Sequence, residues 1–217
     1  MEDQYVHSVY NQIATHFDST RCHLWKGVVD FLEQVPTQSK ILDVGCGNGK
    51  YLSVRRDCEI HACDACPNLA NIAKQKHSHA HVSVANALSM PYDDNVYDNV
   101  ICVAVLHHLS TVENRANVIK ELIRVLKPGG SAFITVWATE AYKPSWKLIE
   151  GSENDYMVPW HHKQNNNILQ RFYHLFTRQE IASLVTDIPY ASIEDMKYEK
   201  DNWHITIKKC DQAILQP

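Results

Sequence analysis

Ile41-Leu42-Asp43-Val44-Gly45-Cys46-Gly47-Asn48-Gly49-Lys50-Tyr51-Leu52 decides the fold. Residues 40–44 are apolar and β-branched enough to form a buried strand. Three alternating glycines follow, and the spacing predicts a helix starting near Lys50. Glycine has no Cβ, so such a turn can take positive φ and let a ligand touch the backbone. A helix start there adds unbonded N–H groups aimed at that ligand. A dinucleotide loop runs Gly-x-Gly-x-x-Gly, which would put its third glycine at position 50, where Lys50 stands. Asp43 lies two residues before Gly45. A carboxylate beside the loop repels a phosphate and suits a ligand with a cationic amino group.

S-adenosylmethionine (SAM) fits that description, with an ammonium, a sulfonium and no phosphate. Asp43-x-Gly45-x-Gly47-x-Gly49 resembles the first motif of class I SAM-dependent methyltransferases; the bland alternative is a generic strand–turn–helix corner. On this reading Asp43, Gly45, Cys46, Gly47, Asn48 and Gly49 border the cofactor.

Outward from the loop, the chain repeats strand and helix. Residues 59–64 read as a second strand ending in Asp64, about twenty residues beyond the loop, where a doubly wound sheet places a carboxylate on ribose hydroxyls. Ala65 follows it. Pro67 opens a helix with Leu69, Ile72 and Ala73 inward. Residues 81–84 are a short third strand, followed by Asn86 and Ala87 at the expected adenine position. Residues 96–106, including Val103, are apolar on both faces, as a central parallel strand requires. Ser110 and Glu113 read as a capping box, 127–130 as a tight turn, and 131–136 as a fifth strand ending at Trp137. The predicted class is α/β, a Rossmann-like and mostly parallel seven-stranded sheet closed by an antiparallel hairpin from residues 191–197 and 202–208. Ligands of such sheets sit at strand carboxyl ends, where Asp43, Asp64, Asn86, Val103, His107 and Trp137 all fall.

Upstream, Tyr5, Val9, Ile13 and Phe17 mark one helix face and residues 23–35 a second helix, so 1–36 are expected as a cap over the cofactor. Residues 138–171 break the rhythm and read as a rim insertion, mobile in its middle at Asn165-Asn166-Asn167. Thr177 and Glu180 cap another helix. No second domain is expected in the 217 residues.

The net charge of −4 lacks the basic balance of a self-sufficient nucleic-acid binder. Seven cysteines leave at least one unpaired, and no secretory segment precedes them, so a reduced, cytosolic setting is expected, with the nucleus as a second compartment. The apolar run 100–106 is too short to span a bilayer, and no membrane is expected. Cys63 and Cys66 have CxxC spacing but no second ligand pair, so they read as reduced thiols and no metal is expected.

Tyr5-Val6-His7-Ser8-Val9-Tyr10-Asn11, Thr20-Arg21, Val105-Leu106-His107-His108, Val136-Trp137-Ala138, Val158-Pro159-Trp160, Arg171-Phe172-Tyr173-His174-Leu175 and Tyr198-Glu199-Lys200-Asp201-Asn202-Trp203 occur in that order. With the glycine loop they resemble the tRNA wobble-uridine carboxymethyl methyltransferases over nearly the whole chain. The resemblance implies SAM-dependent methylation of the carboxylate of 5-carboxymethyluridine in the tRNA anticodon loop. It also implies a heterodimer with a small zinc-binding activator subunit, which the third strand can accept if it is a sheet edge. A carboxyl group with pKa about 4 is ionised roughly a thousand to one at neutral pH, so no general base is required. Arg21 is then the first candidate to hold the substrate carboxylate. Trp137 stacks on the uracil or excludes water. One of His107 and His108 contacts substrate and the other packs or caps. Trp160 and Trp203 read as structural. A SAM enzyme with a small-molecule acceptor and a SAM-binding protein without turnover are the competing readings.

Overall fold

The computed structural model describes residues 1–161 and 168–211. A π-helical turn, Asp3–His7, runs into α1 (Ser8–Thr20), and α2 is Lys26–Gln34. Then follow β1 (Lys40–Val44), β2 (Glu59–Asp64), α3 (Pro67–Lys76), β3 (His81–Val84), β4 (Tyr97–Val103), α4 (Val112–Val125) and β5 (Leu126–Trp137). The chain continues through β6 (Lys147–Leu148), β7 (Asp155–His161), β8 (Ile168–His174), α5 (Arg178–Thr186), β9 (Ala191–Glu199) and β10 (Asn202–Lys209). The main sheet has seven strands in the order β3-β2-β1-β4-β5-β10-β9. β1 to β5 are parallel, and β10 is antiparallel to both neighbours, as the sequence predicts. The hairpin turn uses Lys200 and Asp201 at φ 46° and 65°, the geometry a two-residue connection demands.

The central strands alternate between two cores. Leu42, Val44, Val100, Cys102, Ile134 and Val136 pack with α4 and α5 residues on one side. Ile41, Ile101 and Phe133 pack with Val28 and Leu32 of α2 on the other. Both faces are therefore dry, and the strands read as continuous apolar runs rather than alternating ones. Each fully buried Leu or Ile contributes roughly 1.5–3 kcal/mol.

Four local expectations are corrected. No α-helix follows Gly49. Successive turns occupy the span instead, with Leu52 donating to Gly49, Val54 to Tyr51 and Cys58 to Arg55. Arg55 folds the span back, donating to the Leu32 and Val35 carbonyls at the end of α2 and pairing with Asp57. β4 stops at Val103, because Ala104 turns to φ 61° and sends its N–H to the Thr135 carbonyl and hydroxyl, at 3.1 and 3.0 Å. A left-handed alanine costs roughly 1–2 kcal/mol; here it swings the short helical turn Leu106–His108 out of the sheet. Thr111, not Ser110, caps α4, accepting from Asn114 N–H. The Ser110 N–H and hydroxyl both donate to Glu2 and fasten the amino-terminal segment. Residues 127–130 do not separate α4 from a strand. They bulge within β5 between the pairs Tyr97–Leu126 and Asn99–Ser131. A Cβ on Gly130 would meet the Asp98 carbonyl at 2.8 Å.

The segment expected as a rim insertion carries a second sheet, in the order β6-β7-β8 and antiparallel. Its expected mobile centre, Asn165-Asn166-Asn167, lies outside the described residues. Among the described residues no helix is long and apolar enough to cross a membrane.

Candidate functional site

A cleft of about 200 Å³ opens at the carboxyl ends of β1, β2, β4 and β5, roofed by α1 and bordered by β8. It is lined by Arg21, Asp43, Gly45, Cys46, Gly47, Asn48, Asp64, Ala65, Asn86, Ala87, Val103, His107 and Trp137. Of the residues singled out from sequence, only Gly49 does not border it. Gly49 packs instead against Leu52, Ala73 and His77.

The backbone of the loop is tied chiefly to β2. Gly45 and Cys46 N–H donate to the Cys63 carbonyl, Gly47 N–H to Asp64 and Gly49 N–H to Cys46. The expectation of unbonded loop N–H groups aimed at a ligand is thus corrected for these four. With these N–H groups engaged, little is left for a phosphate to collect, in keeping with a ligand that has none. Gly45 sits at φ 72°, and a Cβ there would meet Val105 Cγ2 at 2.3 Å; the glycine lets the residues after β4 close over the loop.

Asp64 accepts from Gly47 N–H and Cys66 N–H, at 2.8 Å each, so its carboxylate is fixed while lone pairs remain for a diol. Asp43 is different. It is 2% exposed, and Oδ2 has no hydrogen-bond partner. Burial pushes its pKa up to about 7, with Asp64 adding to the rise and Lys50 opposing it. An orphaned buried carboxylate fits a cationic amino group. Asn48 serves the scaffold: its Nδ2 donates to Asp18 Oδ1 at 2.9 Å and lies 3.4 Å from the Arg21 carbonyl, joining the loop to the end of α1. Asn86 Oδ1 accepts from Leu88 N–H and shapes the far wall.

The other half of the cleft is aromatic and cationic. His108 Nδ1–H donates to the Phe172 carbonyl at 3.1 Å, which leaves Nε2 to accept from the Tyr10 hydroxyl at 2.9 Å. Burial lowers its pKa to about 3, so it is a neutral, fully engaged structural ring. His107 stacks on Tyr173 at 4.8 Å, and its buried Nδ1 has no partner. Burial first, then the neighbouring His108, drives its pKa well below the usual range. Of the pair, His107 keeps hydrogen-bonding capacity for a ligand. Trp137 stacks on Trp146 at 5.2 Å and meets Tyr173 edge-on, presenting a flat apolar wall.

Arg171 also lines this half, and sequence reading did not single it out. It is 5% exposed. Nη1 donates to the Tyr173 hydroxyl at 2.8 Å and the Tyr10 hydroxyl at 3.3 Å, and Nε has no partner. No carboxylate pairs with it among the described residues. Strand alternation puts Arg171 and Tyr173 on one face of β8. The available signal was this two-residue spacing within Arg-Phe-Tyr-His-Leu. Arg21, by contrast, is exposed, with its guanidinium over Trp160. Trp160 is buried and donates to His16, and Trp203 donates to the Phe176 carbonyl.

A family model for a methyltransferase domain matches residues 42–134. A SAM-dependent methyltransferase from Methanosarcina mazei superimposes with a TM-score of 0.68 at 21% identity, covering 86% of this chain and 98% of that one. With the sheet order and the orphaned acid after β1, these findings define a class I methyltransferase whose cofactor is S-adenosylmethionine. A chain from the complex between the Haloferax volcanii Trm112 methyltransferase activator and a methyltransferase shares the fold, with a TM-score of 0.73 at 14% identity over 95% of this chain and 98% of that one.

The tRNA (carboxymethyluridine(34)-5-O)-methyltransferase of Schizosaccharomyces pombe is 34% identical over 96% of this chain and 97% of its own length. The corresponding enzyme of Xenopus tropicalis is 32% identical over 96% of this chain, which spans 41% of that longer relative. The chain belongs to the tRNA (carboxymethyluridine(34)-5-O)-methyltransferase family.

Proposed function

We propose that this chain methylates the carboxylate of 5-carboxymethyluridine at the tRNA wobble position, forming the methyl ester. The observation that carries this reading is Arg171, a buried guanidinium in the cleft with no acid to neutralise it. A cation in that setting needs an anionic ligand, and a substrate carboxylate provides one. SAM supplies an electrophilic methyl group on a positively charged sulfur. Asp43 holds its ammonium and Asp64 its ribose hydroxyls. Arg171 and the Tyr173 hydroxyl hold the acceptor carboxylate, Trp137 walls off water, and His107 supplies a hydrogen-bonding nitrogen beside them. The carboxylate is already ionised, so no side chain removes a proton and the residues act by alignment. A grip on one carboxylate oxygen by these donors leaves the other for the attack.

The reading also places a small activator subunit on β3. That strand ends the sheet order, and Val84 is 54% exposed. A chain of the same fold is found in complex with the Haloferax volcanii Trm112 activator, which favours an activator partner without locating it.

Labelled SAM, the activator and tRNA with or without the carboxymethyl group test the activity. Label in an alkali-labile ester at position 34 is the expected result. Label in small molecules, or SAM binding without transfer under any condition, overturns it. Arg171→Gln is expected to lower kcat/KM by about 10- to 100-fold, the scale of one hydrogen bond to a charged group.

A further inference from the structure

Arg171 accounts for one anion, and the cleft holds a second unneutralised guanidinium. Arg21 stands at the end of α1 and forms no ion pair among the described residues. Its guanidinium lies 3.4 Å from the carbonyl of the adjacent Thr20. It is nonetheless held in place, over the Trp160 ring at 5.2 Å and the Phe17 ring at 5.8 Å. The backbone beneath it is fastened to the glycine loop through Asn48. Asp18, an acid three residues before it, is committed to Lys76 and Asn48. The Arg171 guanidinium lies 4.7 Å from the same Trp160 ring. Lys50 adds a third charge, over Trp25 and Tyr51 at 4.8 Å each. The lining carboxylates, buried Asp43 and half-buried Asp64, lie in the cofactor half, and Glu2 is taken by Ser110 and Asn114.

Two guanidiniums on one indole, neither paired with an acid, describe a ligand with two anionic groups. One is the buried carboxylate. The second meets an exposed, stacked arginine at the mouth, the setting in which arginine takes a phosphate oxygen. We propose that Arg21 docks a backbone phosphate of the substrate nucleotide while Arg171 holds its carboxylate, so that the site takes a carboxylated nucleotide within an RNA strand rather than a free nucleoside. The proposal rests on the function above and moves Arg21 from the carboxylate to the phosphate.

The test uses the full chain with its activator and two anticodon stem-loops, one with 5-carboxymethyluridine and one with uridine at position 34. Binding is measured against salt for wild type, Arg21→Gln, Arg21→Lys and Arg171→Gln. Arg21→Gln is expected to weaken both stem-loops alike and to make the slope of log K against log salt shallower by about 0.7, the value for one phosphate contact on a single strand. Arg21→Lys keeps the slope. Arg171→Gln weakens the carboxymethylated stem-loop alone. An unchanged slope in Arg21→Gln, or a loss confined to the carboxymethylated stem-loop, overturns the proposal. Wild type that binds both stem-loops equally and methylates neither overturns the underlying function instead. Melting temperatures matched to wild type separate either result from misfolding.

Discussion

Asp43 is a carboxylate that the free protein does not want ionised. Its Oδ2 is unpaired and its pKa stands at about 7, against an ordinary 3.8. The folded state therefore binds more protons than the unfolded chain between these values, and Asp43 lowers stability as pH rises through that window. A cationic ligand reverses the preference, because it pairs only with the ionised form. Affinity for SAM is then expected to be full above pH 7 and to fall as pH drops below it, by up to tenfold per unit. Asp43→Asn is expected to weaken SAM by roughly 10- to 100-fold and to flatten that profile. Titration calorimetry from pH 5.5 to 8.5 checks both, and a flat wild-type profile contradicts the assignment. Asp43 was legible because its meaning lies in its neighbours along the chain: an apolar strand before it and glycines after it. Arg171 was not, because its meaning is the lack of an acid around it in space. Nor did spacing reveal that Asn48 turns away to bind Asp18.

The element that carries Arg171 and Tyr173 is β8, and its next residue faces a different environment. His174 is 6% exposed and bound at both nitrogens, to Asp155 on β7 at 2.5 Å and to Glu180 on α5 at 2.7 Å. Arg115 of α4 lies 3.6 Å from Glu180 and donates to the Leu109 carbonyl. Two cations and two anions thus join β7, β8, α4 and α5. Burial alone would lower the His174 pKa, yet the two carboxylates outweigh it and the pKa is raised. A raised histidine contributes stability below its unfolded pKa, about 6.5, and loses it as pH rises through the folded value. Melting temperature is accordingly expected to fall as pH climbs from about 6.5 through the raised value. His174→Gln should remove that dependence and cost about 3–5 kcal/mol, the scale of breaking a buried ion pair. Equal pH slopes in thermal melts of the two proteins would remove the clamp from the account. Periodicity gave the existence of most elements but not their ends. Thr111 and Ser110 are both capping residues, and only the long-range bond to Glu2 decides between them. The end of β4 depends on Ala104 at positive φ, which no residue preference signals.

Across the whole molecule, the sheet leaves two edges, β3 and β9, and unpaired edges invite a partner strand. β3 is short, borders the cofactor half and pairs with β2 through His61–His81, Ala62–Val82, Cys63–Ser83 and Asp64–Val84. Ala85 N–H donates inward to the Asp64 carbonyl. In a parallel strand the N–H and carbonyl of one residue point the same way and alternate along the chain. Val82 and Val84 therefore turn their hydrogen-bonding groups to the open edge. Val84→Pro removes one outward N–H while sparing the ladder to β2, a substitution an edge strand tolerates. If the activator extends the sheet here, the variant is expected to lose the co-purifying subunit while keeping a cooperative thermal transition. An equimolar complex with Val84→Pro by size-exclusion chromatography would place the partner elsewhere. If such a subunit binds, the net charge of −4 would give it a second task. Arg21, Lys50 and Arg171 concentrate positive charge in one cleft, but an anticodon arm extends well past a single nucleotide. The remaining phosphates need a basic surface beyond the cleft, which an activator seated on β3 would be in position to supply. The salt slope for tRNA should consequently be steeper for the complex than for this chain alone, and equal slopes would assign the whole footprint to this chain.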